Sequence, residues 1–591
     1  MVAVIRIRRP QVGVLPGAPF NFLIFYYLRH LRFFECCNVI YWKTRFRGKV
    51  LGIKITVAEA LVKCLEAEDI KNIFGYPGAT ICPFYDKLAD STIRHILVRH
   101  EINAGHAASG YARITGKPAV CVATSGPGAT NLITAIAAAY MDSIPIVIIT
   151  GQVGTEQIGR DVFQEADITG AAEPFVKHSY LIKEAVLVPE IVKKAFYIAG
   201  TGRPGPVLLD VPIDIQQQVI NFEYPESIEI NSYKPRYDGN RLQIKRAAEA
   251  IREAKRPLIC VGGGIFNANA QDMAMKFAEQ INTPVICTMM GISAMPFEHP
   301  LYMGMIGMHG KNAPNRALVE SDLLILLGAR VGDRAVTAIK NHKNLKVIHI
   351  DIDPAEIGKN LPANVPVVGD LKAVLNQLLD ATEAKVNDDW VKCVQEFKTN
   401  EITLHETRGG YVNPVAFIEE LNKQLPQKCV ISADVGQNQI WTTNNIKLRG
   451  GRFITSGGMG AMGYSVPAAI GAKIACPDAE TIAICGDGSF QMQFMELATM
   501  VQHGVAVKII IMVNSCLGMV RELQLKNYGG KLTAVSLDGS PDFIKLAAAY
   551  GIEGEYVNDI SEAGVAITNL LNSRKPYILR VKVDENEKSV L

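Results

Sequence analysis

The segment that decides the fold reads Thr481-Ile482-Ala483-Ile484-Cys485-Gly486-Asp487-Gly488-Ser489. Its apolar half suits a buried strand, and the Gly-Asp-Gly-Ser half suits the turn where a strand passes into a helix. A second apolar run, 508–513, ends at Asn514. Because the carboxyl ends of neighbouring parallel strands lie at the same edge of a sheet, Asp487 and Asn514 are predicted to lie close together.

A carboxylate and an amide oxygen at such an edge suit a hard cation. Mg²⁺ keeps few protein ligands and fills its remaining positions with water and phosphate oxygens. Gly486 and Gly488 would let the main chain approach a diphosphate closely. The structural alternative is an ordinary Gly-rich strand exit with a turn aspartate, and Asn514 is the observation that favours a metal site.

The same alternation of strands and helices extends outward from this segment. Short apolar runs followed by glycine turns and helical stretches are typical of parallel sheets covered by helices. The predicted strands are 93–98, 119–124, 144–150, 207–211, 258–261, 285–288, 323–327, 347–350, 430–432, 481–485, 508–513 and 577–581. The sequence therefore predicts an α/β fold of three doubly wound domains with parallel sheets.

Two polar stretches, 220–243 and 383–411, interrupt the pattern and indicate domain boundaries. We predict an amino-terminal extension outside the fold, followed by three domains. The predicted ranges are 1–53, 54–220, 236–382 and 410–585. A weak similarity between 124–130 and 455–461 indicates that the first and third domains share a fold.

Composition excludes several classes of protein. The 591 residues contain 61 basic and 58 acidic side chains, a net charge of +3, so nothing in the overall charge indicates binding to nucleic acid or to a membrane surface. The 12 cysteines include no C-x-x-C pair, which indicates a reducing compartment and no zinc site. A cytoplasmic location is expected, or an organellar one if the extension is a transit peptide.

The extension itself has a different composition from the rest. Residues 1–53 contain nine Lys or Arg and one Glu, a local charge of +8, so the remainder carries −5. Prolines interrupt its longest uncharged run, which argues against a membrane anchor. Three interpretations stay open: a non-functional extension, a targeting segment, or a functional appendage.

Two further motifs flank predicted strands in the outer domains. Glu101, in Arg99-His100-Glu101 at a strand end, could exchange a proton with a ring nitrogen, and a strand-end ion pair is the alternative. The small-residue turns 125–131 and 456–463 would admit a planar ring, although close helix packing also explains them. Met462 in the second turn could press against a cofactor or simply fill the core.

The middle third carries a pattern suited to a dinucleotide. A Gly262-Gly263-Gly264 turn, Arg330 and Asp351 each follow a predicted strand. Glycines and an arginine suit phosphates, and an acid suits ribose hydroxyl groups. Such a glycine run also occurs in ordinary turns, so alone it does not decide the point.

Together these residues resemble the thiamine-diphosphate enzymes related to acetolactate synthase, specifically the biosynthetic catalytic subunit. The resemblance extends from about Lys54 to about Lys582 and leaves the extension uncovered. It rests on ordered motifs at 74–78, 99–101, 124–131, 151–153, 163–167, 202–207, 307–310, 434–437, 460–463 and 517–520. It implies the three-domain fold of that family, with pyrimidine-binding, central and diphosphate-binding domains.

The resemblance also implies roles for particular residues. Glu101 would protonate N1′ of the aminopyrimidine, and Met462 would bend the cofactor into a V shape. Thiamine diphosphate would contact Pro77, Gly78, Gln437, Gly460, Ala461, Met462, Gly486, Gly488 and Ser489. Mg²⁺ would be held by Asp487, Asn514 and the carbonyl of Cys516. A non-redox FAD would contact His309, Gly310, Arg330, Asp351 and Asp370. The substrate pocket would include Gln152, Met519, Val520 and Leu523.

The implied activity is that of a transferase in branched-chain amino acid biosynthesis. Pyruvate would be decarboxylated, and the two-carbon unit would be joined to a second 2-oxoacid, pyruvate more readily than 2-oxobutyrate. The implied assembly is a homodimer or a dimer of dimers with sites between chains and a small regulatory subunit, without nucleic acid or membrane partners. Two rivals stay open: a pyruvate oxidase or decarboxylase of the same cofactor class, and a non-catalytic flavin-binding relative.

The sequence departs from the family pattern at several positions. Leu523 stands where a tryptophan favours 2-oxobutyrate as second substrate, and Ile191 aligns with an arginine that stacks on FAD. Smaller departures are Val513 for an asparagine, Ala79-Thr80 for Gly-Ala, and Asn438 for a histidine.

Overall fold

The computed structural model describes residues 53–335, 339, 344–399 and 409–589. The chain divides into two compact units, Met1–Gly52 and Ile53–Leu591. The first unit lies outside the described residues, and with it the predicted extension except for its last residue, Ile53.

The strands of the second unit are numbered in chain order. They are β1 Ile53–Thr56, β2 Asn72–Gly75, β3 Arg94–Leu97, β4 Ala119–Ala123, β5 Ile146–Gln152, β6 His178–Leu181, β7 Val207–Pro212, β8 Val219–Phe222, β9 Pro257–Val261, β10 Val285–Cys287, β11 Tyr302–Met305, β12 Leu323–Leu327, β13 Lys346–Asp351, β14 Val365–Val368, β15 Cys429–Ala433, β16 Arg452–Ile454, β17 Glu480–Gly486, β18 Lys508–Val513, β19 Glu553–Val557 and β20 Tyr577–Lys582.

The α-helices connect these strands. They are Val57–Ala67, Cys82–Leu88, Glu101–Thr115, Pro127–Thr130, Ile133–Met141, Ile168–Ala172, Val188–Gly200, Ile213–Gln217, Arg241–Glu253, Gly264–Asn267, Gln271–Gln280, Asn312–Glu320, Leu371–Ala381, Asp388–Thr399, Pro414–Gln424, Gln437–Asn445, Ser465–Ala475, Asp487–Gln491, Glu496–His503, Gly518–Asn527, Phe543–Ala549 and Ile560–Asn572. None of the helices in the described ranges has the length and apolar character that crossing a membrane requires.

Three six-stranded parallel sheets organise the unit. Their strand orders are β3-β2-β4-β5-β7-β6, β11-β10-β9-β12-β13-β14 and β16-β15-β17-β18-β20-β19, and β1 pairs with β8 in a separate antiparallel ribbon. The first and third sheets share one topology, as the similarity between their turns indicated. The predicted α/β class with three doubly wound parallel-sheet domains is therefore confirmed.

Each sheet buries both faces, which explains why its strands are continuously apolar. In β4, Val120 and Val122 pack into one core cluster, whereas Cys121 and Ala123 pack into another on the opposite face. Side chains of successive strand residues point to opposite faces, so a strand between two helix layers needs apolar residues at every position.

All predicted strands are present, with ends that differ by at most two residues. The structure adds short strands that the sequence did not predict: β1, β2, β6, β8, β11, β14, β16 and β19. Strand β1 begins at Ile53 and β8 extends to Phe222, so both cross the predicted limits of the first domain. The domain ranges otherwise stay a prediction.

The first and last domains meet along two helices that contact each other through their main chains. A Cβ atom at Gly110 would lie 1.9 Å from the carbonyl oxygen of Ala468, and one at Gly471 would lie 1.8 Å from that of Ala107. These pairs (110 with 468, 107 with 471) make Glu101–Thr115 antiparallel to Ser465–Ala475. Only glycine permits so close a crossing at these two positions.

Candidate functional site

The predicted metal ligands lie side by side at the carboxyl edge of the third sheet. Asp487 follows β17 and Asn514 follows β18, and these two strands are paired in parallel. The Ser515 N–H donates to Asp487 Oδ2 (2.7 Å), and the Gly488 N–H donates to Asp487 Oδ1 (3.0 Å). Each carboxylate oxygen keeps a lone pair for a further partner. Burial raises the pKa of Asp487 to about 6, while these two N–H groups oppose that rise.

Asn514 connects this edge to the predicted diphosphate residue. Its Nδ2 donates to Gln437 Oε1 (2.8 Å), and its Oδ1 accepts from the Cys516 N–H (3.2 Å). A Cβ at Gly518 would lie 1.7 Å from Gln437 Oε1, so a larger residue here would displace the Gln437 side chain. No group of three His, Cys, Asp or Glu side chains suited to a metal occurs among the described residues, so a cation here would depend on Asn514 and a carbonyl oxygen such as that of Cys516.

Residues 587–589, near the carboxyl terminus, contact Gln437 and its hydrogen-bond partner Glu522. Gln437 Nε2 donates to Glu522 Oε1 and to the carbonyl of Glu587, both at 2.8 Å. Glu522 also accepts from the N–H and hydroxyl of Ser589, both at 2.6 Å. Both N–H groups of the Gln437 amide are therefore engaged by the protein, and one of them must exchange its partner to donate to a diphosphate.

Met462 lies in a turn that is held by a buried acid which sequence reasoning gave no role. Asp434 is fully buried and accepts from the N–H groups of Gly463 (2.9 Å) and Ser465 (2.8 Å) and from Gln493 Nε2 (2.9 Å). The turn thereby approaches the Gly-Asp-Gly-Ser segment, because a Cβ at Gly488 would lie 3.7 Å from Met462 Cε. The signal available in the sequence was Asp434 itself, which directly follows β15 in the motif at 434–437.

Four more of the predicted cofactor residues lie in the turn that carries Met462 (460 and 461) and where β17 ends (486 and 489). The Ala461 N–H donates to Ser456 Oγ (3.1 Å), and Gly460 has a φ of 69°, which favours glycine. Ser489 Oγ donates to the carbonyl of Gly486 (3.2 Å) at the start of helix Asp487–Gln491. The third domain thus gathers its share of the predicted cofactor residues.

Glu101 begins its helix in the first domain with a mostly buried side chain. Its carboxylate is 12% exposed, accepts from Asn131 Nδ2 (2.9 Å), and lies 3.3 Å from where a Cβ at Gly128 would be. Pro77 and Gly78 belong to a neighbouring turn, where a Cβ at Gly78 would lie 2.5 Å from Thr124 Cβ. These residues form the first domain's share of the predicted site.

The predicted site residues of the first domain and those of the third domain lie at opposite ends of the helix crossing. Glu101 lies about 14 Å from Gly110 along its helix, toward the carboxyl end of Ser465–Ala475. Met462 precedes the amino end of that partner helix. The antiparallel crossing therefore keeps Glu101 and Met462 of one chain apart.

Gln152, at the end of β5, is held by a second buried acid. Its Nε2 donates to Asp210 Oδ2 (2.9 Å) and to the carbonyl of Ala166 (2.8 Å), and its Oε1 accepts from the Val153 N–H (2.9 Å). Burial raises the pKa of Asp210 to about 7, although hydrogen bonds from Thr150 and Gln152 oppose the rise. Only the remaining lone pair of Gln152 Oε1 is left for a substrate.

A cavity of about 880 Å³ opens at the carboxyl edge of the middle sheet and extends to the last domain. Of the residues predicted to contact FAD, those on its wall are His309, Arg330, Asp351 and Asp370. Gly310 is not on the wall; a Cβ there would lie 2.4 Å from the carbonyl oxygen of Met305. Burial raises the pKa of Asp351 to about 6, and burial lowers that of His309. Asp370 also caps the helix Leu371–Ala381.

The predicted substrate residues share the helix Gly518–Asn527. Met519 lies on the cavity wall, whereas Val520 and Leu523 are exposed, at 44% and 50%. Leu523 thus stays accessible to a bound ligand or to another chain. The roles predicted for these three residues, and for the other site residues, stay predictions.

Comparisons with known proteins agree with this arrangement. Three thiamine pyrophosphate enzyme family profiles match the chain: the N-terminal TPP binding domain at 55–171, the central domain at 244–378 and the C-terminal TPP binding domain at 434–581. Several curated relatives have similar length.

The probable acetolactate synthase large subunit of Methanocaldococcus jannaschii is 45% identical over 544 residues, which cover 90% of this chain and 92% of the relative. The acetolactate synthase large subunit of Haemophilus influenzae is 40% identical, covering 90% and 95%. That of Buchnera aphidicola is 41% identical, with the same coverage. The chain therefore belongs to the thiamine pyrophosphate enzymes, in the family of acetolactate synthase large subunits.

Proposed function

We propose that this chain is the catalytic subunit of an acetolactate synthase. It decarboxylates pyruvate and transfers the two-carbon unit to a second 2-oxoacid. The observation that carries the proposal is the edge where Asp487, Asn514 and Gln437 converge, combined with the family membership. Thiamine diphosphate supplies the carbon that adds to the 2-oxoacid carbonyl and accepts its electrons.

The residues present at this edge fit Mg²⁺ and a diphosphate. Asp487 and Asn514 offer hard oxygen ligands, and the carbonyl of Cys516 offers a third. Gly486, Gly488 and Gly518 leave space for main-chain approach to phosphate oxygens. Met462 presents an apolar side chain beside Gly488, where it would orient a bound ring system.

Glu101 holds and moves a proton at the aminopyrimidine N1′ in this proposal. Asn131 keeps its carboxylate oriented, and its mostly buried setting strengthens the hydrogen bond to a ring nitrogen. Because the helix crossing separates Glu101 from Met462 within one chain, the proposal requires Glu101 of one protomer to serve the site of its partner. A homodimer is therefore the smallest active assembly, and a dimer of two such dimers would contain the same sites.

The large cavity fits FAD as a structural cofactor. Its volume is in the range of cofactor pockets, and its wall carries the glycine turn at 263–264, Arg330 for phosphate and Asp351 for ribose hydroxyls. Ile191 in place of a flavin-stacking arginine leaves that contact to other residues. A small regulatory subunit is a further expected partner, because the relatives are named large subunits.

Product analysis of the purified protein tests the proposal. Incubation with pyruvate, thiamine diphosphate, Mg²⁺ and FAD should yield acetolactate, and omission of the thiamine cofactor or of Mg²⁺ should abolish it. Asp487→Ala should remove Mg²⁺-dependent cofactor binding, whereas Asp478→Ala, on an exposed loop, should not. Acetaldehyde or acetyl phosphate as the main product would indicate a decarboxylase or an oxidase instead. Flavin binding without turnover would indicate the non-catalytic relative.

A further inference from the structure

Arg452 lies on the wall of the large cavity without an anionic partner for its charge. It opens β16 in the last domain, where its main chain pairs with β15, but its side chain makes no hydrogen bond or ion pair with any residue in the described ranges. Its Nη1 is shielded from solvent and has no acceptor. Its guanidinium carbon lies 3.1 Å from the centre of the Phe266 ring.

The nearby charged groups do not neutralise it. Arg113 lies on the same wall and is paired with Asp142 (2.7 Å). Asp142 also accepts from the N–H groups of Gly457 (3.1 Å) and Gly458 (2.7 Å), so its charge is already shared among three donors, and it makes no ion pair with Arg452. Burial together with the positive charge of Arg113 lowers the pKa of Arg452 well below its ordinary value. A partly buried guanidinium that has a shielded N–H group without an acceptor and no anionic partner is costly, so an acceptor from the cavity would be favoured.

The position of Arg452 indicates which part of a ligand it meets. The residues suited to phosphate and ribose, Arg330 and Asp351, belong to the middle sheet. Arg452 belongs instead to the last domain, contacts the ring of Phe266, and shares the cavity wall with the glycines at 457, 458 and 460, which follow it in the chain. The small glycine residues suit a planar ring, and a guanidinium suits the oxygen and nitrogen acceptors along the edge of such a ring.

We propose that Arg452 binds the acceptor edge of the flavin ring of FAD in this cavity. The inference rests on the FAD of the proposed function and assigns its ring a specific cationic partner. It has an electronic consequence, because a positive charge beside that edge stabilises the reduced, more negative flavin. Arg452 is thus an anchoring residue for the ring and a determinant of its reduction potential.

Flavin titrations of three variants, each as holoenzyme with thiamine diphosphate and Mg²⁺, test the inference. Arg452→Gln should weaken FAD binding on the order of tenfold and make the reduction potential of the bound flavin more negative. Arg452→Lys keeps the charge but loses the planar fork, so its affinity should fall between the two. Arg449→Gln is the matched control, because Arg449 is exposed and paired with Glu298 (2.8 Å) and should leave both quantities unchanged.

Thermal unfolding separates this role from a structural one. Without flavin, Arg452→Gln should unfold at the same temperature as the parent or higher, because it removes an unpaired charge. With saturating FAD, its gain in unfolding temperature should be smaller than that of the parent. The inference is overturned if Arg452→Gln unfolds at a lower temperature than the parent in the absence of flavin and yet binds FAD with the affinity of the parent.

The outcomes also distinguish the inference from the proposed function. If the parent binds FAD and Arg452→Gln binds it with the same affinity and potential, the inference is wrong and the FAD proposal stands. If the parent does not bind FAD at all, both are wrong, and the acetolactate assay still decides the catalytic proposal separately.

Discussion

Replacing Asp434 by asparagine should loosen the turn that carries Met462. The carboxylate of Asp434 accepts four hydrogen bonds: Oδ1 from the N–H groups of Val435 and Gly463, and Oδ2 from the Ser465 N–H and Gln493 Nε2. An asparagine keeps the shape but replaces one of these oxygens by an NH₂ group. In either orientation of the asparagine amide, two of the four hydrogen-bond donors then face its NH₂ group, which cannot accept their hydrogen bonds.

The structure sets the size of the effect. If the NH₂ group replaces Oδ1, two main-chain N–H groups lose their acceptor, and neither can move easily. If it replaces Oδ2, Gln493 can turn its amide, because its Oε1 is buried and has no partner, and only the Ser465 N–H is left unpaired. The second orientation is cheaper, and losing one charge-assisted bond while weakening the others costs about 2–4 kcal/mol of unfolding free energy.

Urea unfolding and cofactor titration measure this effect. Asp434→Asn should lower the urea midpoint and weaken thiamine diphosphate binding, because the Ser465 N–H loses its acceptor and the Gly463 N–H, adjacent to Met462, keeps only a neutral, weaker one. Asp478→Asn is the matched control: Asp478 is exposed and lies 3.9 Å from Lys428, so its loss should cost little. A variant at position 434 with the midpoint and the cofactor affinity of the parent would refute the role assigned to this carboxylate.

Three further predictions concern the predicted proton relay, a buried acid and the substrate pocket. Glu101→Gln should keep cofactor binding near normal while lowering the turnover rate on the order of 10²-fold or more, and full activity would contradict the relay. Because the pKa of Asp210 is about 7 when folded and ordinarily 3.8, the unfolded chain loses a proton that the folded chain keeps, so stability falls as pH rises between these values. Asp210→Asn should therefore reduce the fall in urea midpoint between about pH 5 and about pH 7, and an equal fall in variant and parent would show that Asp210 is not its source. Leu523→Trp should raise the ratio of acetohydroxybutyrate to acetolactate formed from equal concentrations of 2-oxobutyrate and pyruvate. The expected change corresponds to the roughly 1–3 kcal/mol that one methylene contributes in an apolar pocket. An unchanged ratio would mean that a neighbouring residue makes the contact, as is common for exposed positions.

The central strands could be predicted from the sequence because burial on both faces requires apolar residues at nearly every position. Strands β4 and β12 lie between two helix layers and are continuously apolar, and β18 is apolar throughout after its first residue, Lys508. Apart from the short interior strand β2, the strands that the sequence did not predict lie at sheet edges or contain exposed residues, as β19 does with Glu553 and Tyr556. Such short, partly exposed segments carry no pattern that distinguishes them from loops.

The adjacency of Asp487 and Asn514 could be predicted for a related reason. In a parallel sheet the carboxyl ends of neighbouring strands lie at the same edge, so the local sequence pattern was sufficient to predict that these two residues lie close together. The contacts of Asp434 with Ser465, of Asp142 with Gly457, and of Gly110 with Ala468 join segments far apart in the chain. No periodicity specifies which distant segments will meet, so the buried acids and the unpaired Arg452 became visible only in three dimensions.

The helix crossing connects these observations into one argument about assembly. Contact at Gly110 and Gly471 leaves no side-chain layer between Glu101–Thr115 and Ser465–Ala475, so the two helices cannot slide without a clash. Further contacts strengthen the junction, including Leu97 N–H to His503 Nε2 (2.9 Å) and Asn103 Nδ2 to the buried Glu496 (2.8 Å). A rigid junction that holds Glu101 away from Met462 within one chain cannot bring them together by domain closure. If both residues act on one thiamine diphosphate, the second chain must supply one of them. Mixing Glu101→Gln chains with Met462→Ala chains should then restore part of the activity that each variant lacks alone, because some heterodimers contain one intact site.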